Sequence, residues 1–208
     1  AARPLLPESD ILLGTYGFFL PHKGFHHLIE AFAQVRKTYP RARLRLVTAE
    51  YPVPESAAEI ARCKALAEVL GIASSIEWHL HYLENSRSFK LPHDCDLLIL
   101  PYQHTEESSS AAVRSALAAG VPTLVTPLPI FEEMQDAVLR LQGTDVFAIH
   151  SGIEWVLQRQ GLREQLAAHA AAFIEENSWA NVAERLCGLL QGLASTGDDG
   201  PGAGFHGL

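Results

Sequence analysis

Leu97-Leu98-Ile99-Leu100 has no polar face. A strand apolar on both sides has to be covered on both sides, which is the situation of a strand inside a parallel sheet sandwiched between helices. Comparable short runs recur at Ile11 to Leu13, Leu44 to Val47, Ile76 to Leu80 and Pro122 to Val125. Between them the apolar period changes from strand to helix. Phe25, Leu28, Ile29, Phe32 and Val35 fall on one helical face that ends before Pro40, and a second helix starts at Ser56, carries Ile60, Cys63, Leu66, Ala67 and Leu70, and stops at Gly71. Strands alternating with helices predict βαβ units, hence an α/β, doubly wound, Rossmann-like parallel sheet with helices on both faces.

The rest of the chain is less regular. The spacing predicts one helical turn at Arg87 to Leu91, a helix from Ala111 to Ala119, and a short helix near Ile130 to Met134. A further strand is expected at Val146 to Ile149. Two or three helices are expected over Ile153 to Leu193, one of them capped by Ser178 with Trp179 inside it. Residues 1–193 read as one domain, and the glycine-rich 194–208 as a disordered tail.

The net charge of −8 and the lack of a basic cluster argue against a nucleic-acid partner, whose binding leans on Lys and Arg. Cys63, Cys95 and Cys187 have no metal-like spacing and read as reduced, buried thiols, which points to a reducing compartment and a cytoplasmic location. No apolar run is long enough to span a membrane. The chain opens Ala1-Ala2-Arg3-Pro4, without methionine or signal peptide, as a piece of a longer protein would.

Ligands of doubly wound sheets bind at the carboxyl ends of the strands. There, Glu107-Ser108-Ser109-Ser110 precedes the helix that leads to Gly120-Val121-Pro122. Unpaired N–H groups and the positive end of the helix dipole suit a phosphate or diphosphate, and a carboxylate beside them suits a sugar hydroxyl. The plainer alternative makes Ser108 or Ser109 an N-cap. The first strand is expected to deliver a Gly14-Thr15-Tyr16-Gly17 loop, and the fourth Pro101-Tyr102-Gln103, facing one another. An ordinary glycine turn is the alternative for the first loop. Neither GxGxxG nor GxxxxGK[ST] occurs. Lys23 precedes a helix start, where a cation opposes the dipole by about 0.3–1 kcal/mol, so it is either solvated or answered by an anion. His79 and His81 share a strand face but lack a third ligand, and His22, His26 and His27 read as surface or loop residues. No serine occupies a GxSxG elbow, and Cys95 has no evident base.

The chain resembles the C-terminal, nucleotide-sugar-binding half of retaining GT-B glycosyltransferases, a group that includes bacterial polysaccharide mannosyltransferases. Four segments carry the likeness: Gly17-Phe18-Phe19-Leu20-Pro21-His22-Lys23-Gly24 with Leu28 to Phe32, Asp96 to Pro101, Glu107 to Pro122, and Ser178-Trp179 opening Val182 to Leu186. The resemblance implies that Lys23 binds the donor diphosphate and Ser108, Ser109 and Ser110 offer it backbone N–H groups. It also implies that Glu107 contacts the transferred sugar, making Glu107 and Lys23 the catalytic pair. Gly14, Thr15, Gly17, Tyr102 and Ser115 complete the implied donor site, with loop backbone near Ala49-Glu50 and His81-Tyr82-Leu83 close to the base. No metal or cofactor is implied. The acceptor saccharide would be held by an N-terminal domain absent from this chain, leaving the fragment inactive alone, and the full protein would be cytoplasmic, with the inner membrane face as a further place.

Two positions depart from the family pattern. Phe18 stands where the family has an arginine, and Ser115 where a second glutamate holds the ribose. Losing a charge-assisted hydrogen bond costs roughly 1.5–3 kcal/mol. Arg114 lies about 100° round the helix from Ser115 and is no simple substitute, while Arg87 or Lys90 could reach in from the preceding segment. A degenerate, non-catalytic module is therefore the main alternative, and another small-ligand α/β domain the third.

Overall fold

The computed structural model describes residues 5–196, without the side chains of 85, 86, 88, 89 and 194–196. The chain divides into two compact units, Ala1–Phe173 and Ile174–Leu208, in place of the single domain expected over 1–193.

The first unit is built on a six-stranded, wholly parallel sheet in the order β3-β2-β1-β4-β5-β6. Its strands are β1 (Leu12–Phe19), β2 (Arg43–Glu50), β3 (Ile76–His79), β4 (Leu97–Leu100), β5 (Thr123–Val125) and β6 (Leu139–Arg140). Its helices are α1 (Phe25–Thr38), α2 (Pro54–Val69), α3 (Asn85–His93), α4 (Ala111–Ala118), α5 (Val146–Leu157) and α6 (Gln160–Glu176), the last ending just past the boundary. Successive strands step one way from β1 to β3 and the other way from β4 to β6. The order therefore reverses between β1 and β4, and the crevice at such a reversal is where an open α/β sheet binds ligands. Leu97 and Ile99 join the core formed with α1, α2 and α5. The side chains of Leu98 and Leu100 alternate to the other face and are equally buried.

Several expectations are corrected. β1 does not stop at Leu13. It pairs with β2 in unbroken register from Leu12↔Arg43 to Phe19↔Glu50, so Gly14 to Gly17 is strand and not loop. The glycines masked an extended segment held by long-range pairing. Val146 to Ile149 is not a strand but the start of α5. The Asp145 carboxylate accepts from the Ala148 N–H at 2.8 Å, and Ile149, Ile153, Val156 and Leu157 are buried at helical spacing. The last strand comes earlier, at Leu139–Arg140. The turn expected at Arg87 to Leu91 is the longer α3, and the second helix begins two residues earlier, at Pro54. Ile130 to Met134 lies within a 3-10 segment, Pro129–Ala137.

The second unit contains α7 (Trp179–Thr196), whose start is capped where Ser178 Oγ accepts from the Asn181 N–H at 3.4 Å. Cys63 and Cys95 are buried, but Cys187 on α7 is exposed, contrary to expectation. Of the expected tail, 194–196 belong to α7 and 197–208 lie outside the described residues. Among the described residues no helix is long and apolar enough to cross a membrane.

Candidate functional site

A cleft of about 440 Å³ opens at the β1/β4 reversal. One wall comes from the end of β1 and the turn after it. β1 ends in Gly17 and Phe18, and a 3-10 turn, Pro21–Lys23, brings Lys23 back over the sheet edge. Two glycines make this possible. Gly17 has φ +135°, and a Cβ there would stand 3.4 Å from Ala112 Cβ. Gly24 has φ +74°, and a Cβ there would come within 2.1 Å of the Pro101 carbonyl oxygen, so only glycine lets α1 start this close to the β4 exit. The two segments are joined by the Gln103 N–H donating to the His22 carbonyl at 2.8 Å.

Lys23 is buried rather than solvated, 7% exposed. Its Nζ lies 3.9 Å from the centroid of the Tyr102 ring and donates to Glu107 Oε2 at 3.2 Å. The cation thus has a π-face beneath it and a carboxylate beside it. The Tyr102 hydroxyl is 3.2 Å from Ser110 Oγ, and Thr126 Oγ1 donates to the Tyr102 carbonyl at 2.7 Å. The first contact holds the ring and the second the backbone that carries it. The cap of α4 is Ser110, not Ser108 or Ser109: its Oγ accepts from the Val113 N–H at 3.3 Å. That leaves the amides of Ala111 and Ala112, both lining the cleft, without an intrahelical acceptor. The side chain of Glu107 is 51% exposed, so the pair with Lys23 can be opened by an incoming ligand. Burial, together with the neighbouring Lys23 charge, lowers the pKa of His22, whose ring lies 6.0 Å from that of His104.

The structure brings Gly17, Lys23, Tyr102, Glu107, Ser109, Ser110 and Ser115 to this cleft. Gly14 and Thr15 are buried inside β1, Gly14 against Cys95 and Leu98, and neither they nor Ser108 line it. Of the segments expected close to the base, Ala49, His81, Tyr82 and Leu83 line the cleft and Glu50 does not. Phe18 lines it too, 42% exposed, with its ring edge-on to Tyr51 at 5.1 Å. The Ser115 hydroxyl donates to the Ala111 carbonyl at 3.0 Å, so its proton is spent within α4. Arg114 turns away to Glu133 at 2.9 Å. Arg87 and Lys90 are exposed on α3 and do not line the cleft. His81 lies past the end of β3 and His79 sits 3.8 Å from Glu77, so the two do not share a strand face. Tyr16 and Val47 line the cleft unforeseen. The register Tyr16↔Val47, given a full-length β1, would have found them.

His26 and His27 are not loop residues but sit half-buried in the first turn of α1. His26 Nδ1 is 2.6 Å from Oε1 of Glu59, which is buried on α2, and the His27 ring is 4.1 Å away.

The family model "Glycosyl transferases group 1" matches residues 2–173, nearly the whole first unit. A D-inositol 3-phosphate glycosyltransferase of Corynebacterium urealyticum is 26% identical over 94% of this chain and 46% of its own length. The serotype-specific mannosyltransferase WbdA of Escherichia coli is 29% identical over 92% of this chain and 23% of its own. The chain therefore spans half or less of these relatives. Among solved structures, sucrose-phosphate synthase from Thermosynechococcus elongatus superposes with a TM-score of 0.75 at 17% identity, covering 92% of this chain and 47% of that one. Anabaena HepE in complex with UDP gives 0.76 at 15% identity, covering 88% and 49%. These structural likenesses speak to the fold, half of a GT-B architecture.

Proposed function

The chain belongs to the group 1 glycosyl transferase family, and on that footing we propose that it is the donor-binding half of a glycosyltransferase, moving a sugar with retention from a nucleotide-sugar to a polysaccharide or glycoconjugate acceptor. The observation that carries the reading is Lys23, buried over Tyr102 beside Glu107 and facing the free amides that open α4. A nucleoside diphosphate placed there meets one fixed cation and the positive end of a helix, which stabilise charge as the diphosphate departs. Lys23 is already held in position over the Tyr102 ring, so little reorganisation of the cation accompanies that step. Glu107, released from Lys23 when phosphate arrives, is free to accept from a hydroxyl of the transferred sugar. No metal is assigned a role, because Lys23 and the amides supply the positive potential. UDP in the HepE complex and the mannosyl activity in the name of WbdA are compatible with this class of donor without choosing its base or sugar.

The acceptor and the remaining reacting groups belong to a domain outside this chain, placed in the cytoplasm or at the inner membrane face. Incubating the 208-residue protein with UDP-, GDP- and ADP-sugars and simple saccharide acceptors should give nucleotide binding without transfer. Transfer by the fragment alone would refute the division of labour between domains. A second reading, a degenerate module kept for structure or pairing, is favoured by one specific observation. Phe18 and Ser115 supply no charge where the family has an arginine and a glutamate, and no other described side chain lining the cleft replaces the arginine. Absence of binding to all three nucleotides would select it.

A further inference from the structure

A second cavity, of about 550 Å³, lies along the outer flank of the sheet between β6 and α5. Its walls are aromatic: Phe147 is 77% and Trp155 43% exposed, eight residues apart on one stripe of α5 and therefore about 12 Å apart along the helix. Between them the stripe carries only Ala148, Ser151 and Gly152, and a Cβ on Gly152 would come within 2.1 Å of Leu141 Cδ2, so the helix is pressed onto the strand exit and the floor stays shallow. The Arg159 guanidinium lies 4.8 Å from the centroid of the Trp155 ring, while Phe147 at the other end of this groove floored with small residues has no ring or cation over it among the described residues.

The polar groups say what kind of molecule fits. Gln142 and Ser151 line the groove, and neither side chain has a hydrogen-bond partner among the described residues. One cation, Arg140, and one anion, Asp145, face the same space, so the groove carries no net charge. Arg140 is partly engaged already, donating to the Glu132 carbonyl at 2.8 Å, and Asp145 Oδ1 caps α5. Arg159, stacked on Trp155 at 4.8 Å, is a further cation near the groove and does not line it, so a phosphate, nucleic acid or acidic peptide finds no cluster of positive charge in the lining. A neutral polyol does find matching groups, with C–H faces for the two rings and hydroxyls for an amide and a hydroxyl. The volume is in the small-ligand range.

The location gives this a purpose. β6 lies two strands beyond β4 in a parallel sheet, so the Gln142 and Asp145 end of the groove follows the carboxyl end of β6, on the same edge as the β4 exit and about 10 Å along it. The two sites share a fastening: Gln103 Nε2, next to Tyr102, donates to the Thr144 carbonyl at 2.9 Å, just before Asp145. We infer that the β6/α5 groove is a saccharide-binding site, holding a neutral oligosaccharide between Phe147 and Trp155 away from the donor cleft. The inference leans on the glycosyl-transfer reading only for its choice of sugars.

The test follows the Trp155 indole N–H in two-dimensional NMR spectra while mannotriose or maltotriose is added to the full chain, with inorganic phosphate as charged comparison. The expected result is a saturable shift with a trisaccharide, none with phosphate, and no displacement by UDP or GDP. Phe147→Ala should weaken it about tenfold, and Gln142→Ala should weaken it while leaving the melting temperature unchanged. No saturable shift with either sugar, or one that survives both variants, overturns the proposal. So does a shift that depends on protein concentration alone, which would give the groove to a second copy. Saccharide binding without any nucleotide binding would contradict the donor-site reading and leave this one standing.

Discussion

Two acid–base pairs flank Gly24, and they do different work. On one side Lys23 pairs with Glu107 across the cleft, its cation buried but its carboxylate half in water. On the other, His26 pairs with Glu59 between α1 and α2, side chains 13% and 5% exposed. The first can be opened by a ligand from the solvent side, because Glu107 is rehydrated as it leaves. The second cannot, since separating it strands a carboxylate whose remaining neighbours are the Cys63 thiol at 3.8 Å and Arg62 at 3.5 Å. Exposure of the acid, more than distance, separates a pair available to function from one that ties two helices together.

The junction between the pairs should be the most sensitive point. Gly24→Ala puts a methyl into the Pro101 carbonyl at a left-handed φ, and we expect a loss of more than about 4 kcal/mol, or no folding, in urea denaturation. Next in size is His26→Ala, which leaves Glu59 buried without its nearest partner. A cost of about 3 kcal/mol should appear as a melting temperature lower by roughly 10 °C, with nucleotide affinity of the folded protein little changed. Lys23→Ala should do the reverse, weakening nucleotide binding roughly 10- to 100-fold while moving stability by less than about 1 kcal/mol. If Lys23→Ala destabilised as much as His26→Ala, the contrast would fail. Phe18→Arg, restoring the family cation at a partly exposed position, should tighten nucleotide binding by about tenfold in the same titration.

The smallest effect is one of pH. Burial, then the neighbouring His26, lowers the pKa of His27, and burial likewise lowers that of His22. Both rings take up protons more readily in the unfolded chain. Their folded-state preference for the neutral form costs nothing above the unfolded pKa of 6.5 and is progressively lost as stability when pH falls below it. Melting temperatures between pH 7.5 and 5 should therefore fall, and less steeply in His27→Asn.

The fold was legible wherever a signal was local. β4 announced itself by four apolar residues, α1 by its period, and the cleft by Lys23 and the Glu107 segment placed at strand ends. What was missed depended on partners far along the chain. Gly14 to Gly17 looked like a loop because glycines hide a strand whose extent is set by pairing with Arg43–Glu50. Val146 to Ile149, too short to show a period, was decided by the Asp145 cap and by burial of Ile153 and Val156 one and two turns later. His26 gave no hint of Glu59, 33 residues away. Ser110 rather than its two neighbours is the cap, because α4 starts at Ala111 and only from Ser110 does an Oγ accept from the Val113 N–H.

The central claim is that Lys23 and the start of α4 form a nucleoside-diphosphate site. Calorimetric titration of UDP, GDP and ADP into the wild-type chain and Lys23→Ala tests it most directly. The account predicts saturable binding of one of these nucleotides, weakened at least about tenfold in the variant at equal melting temperature. Binding that Lys23→Ala leaves intact, or no binding by wild type at millimolar nucleotide, would contradict it.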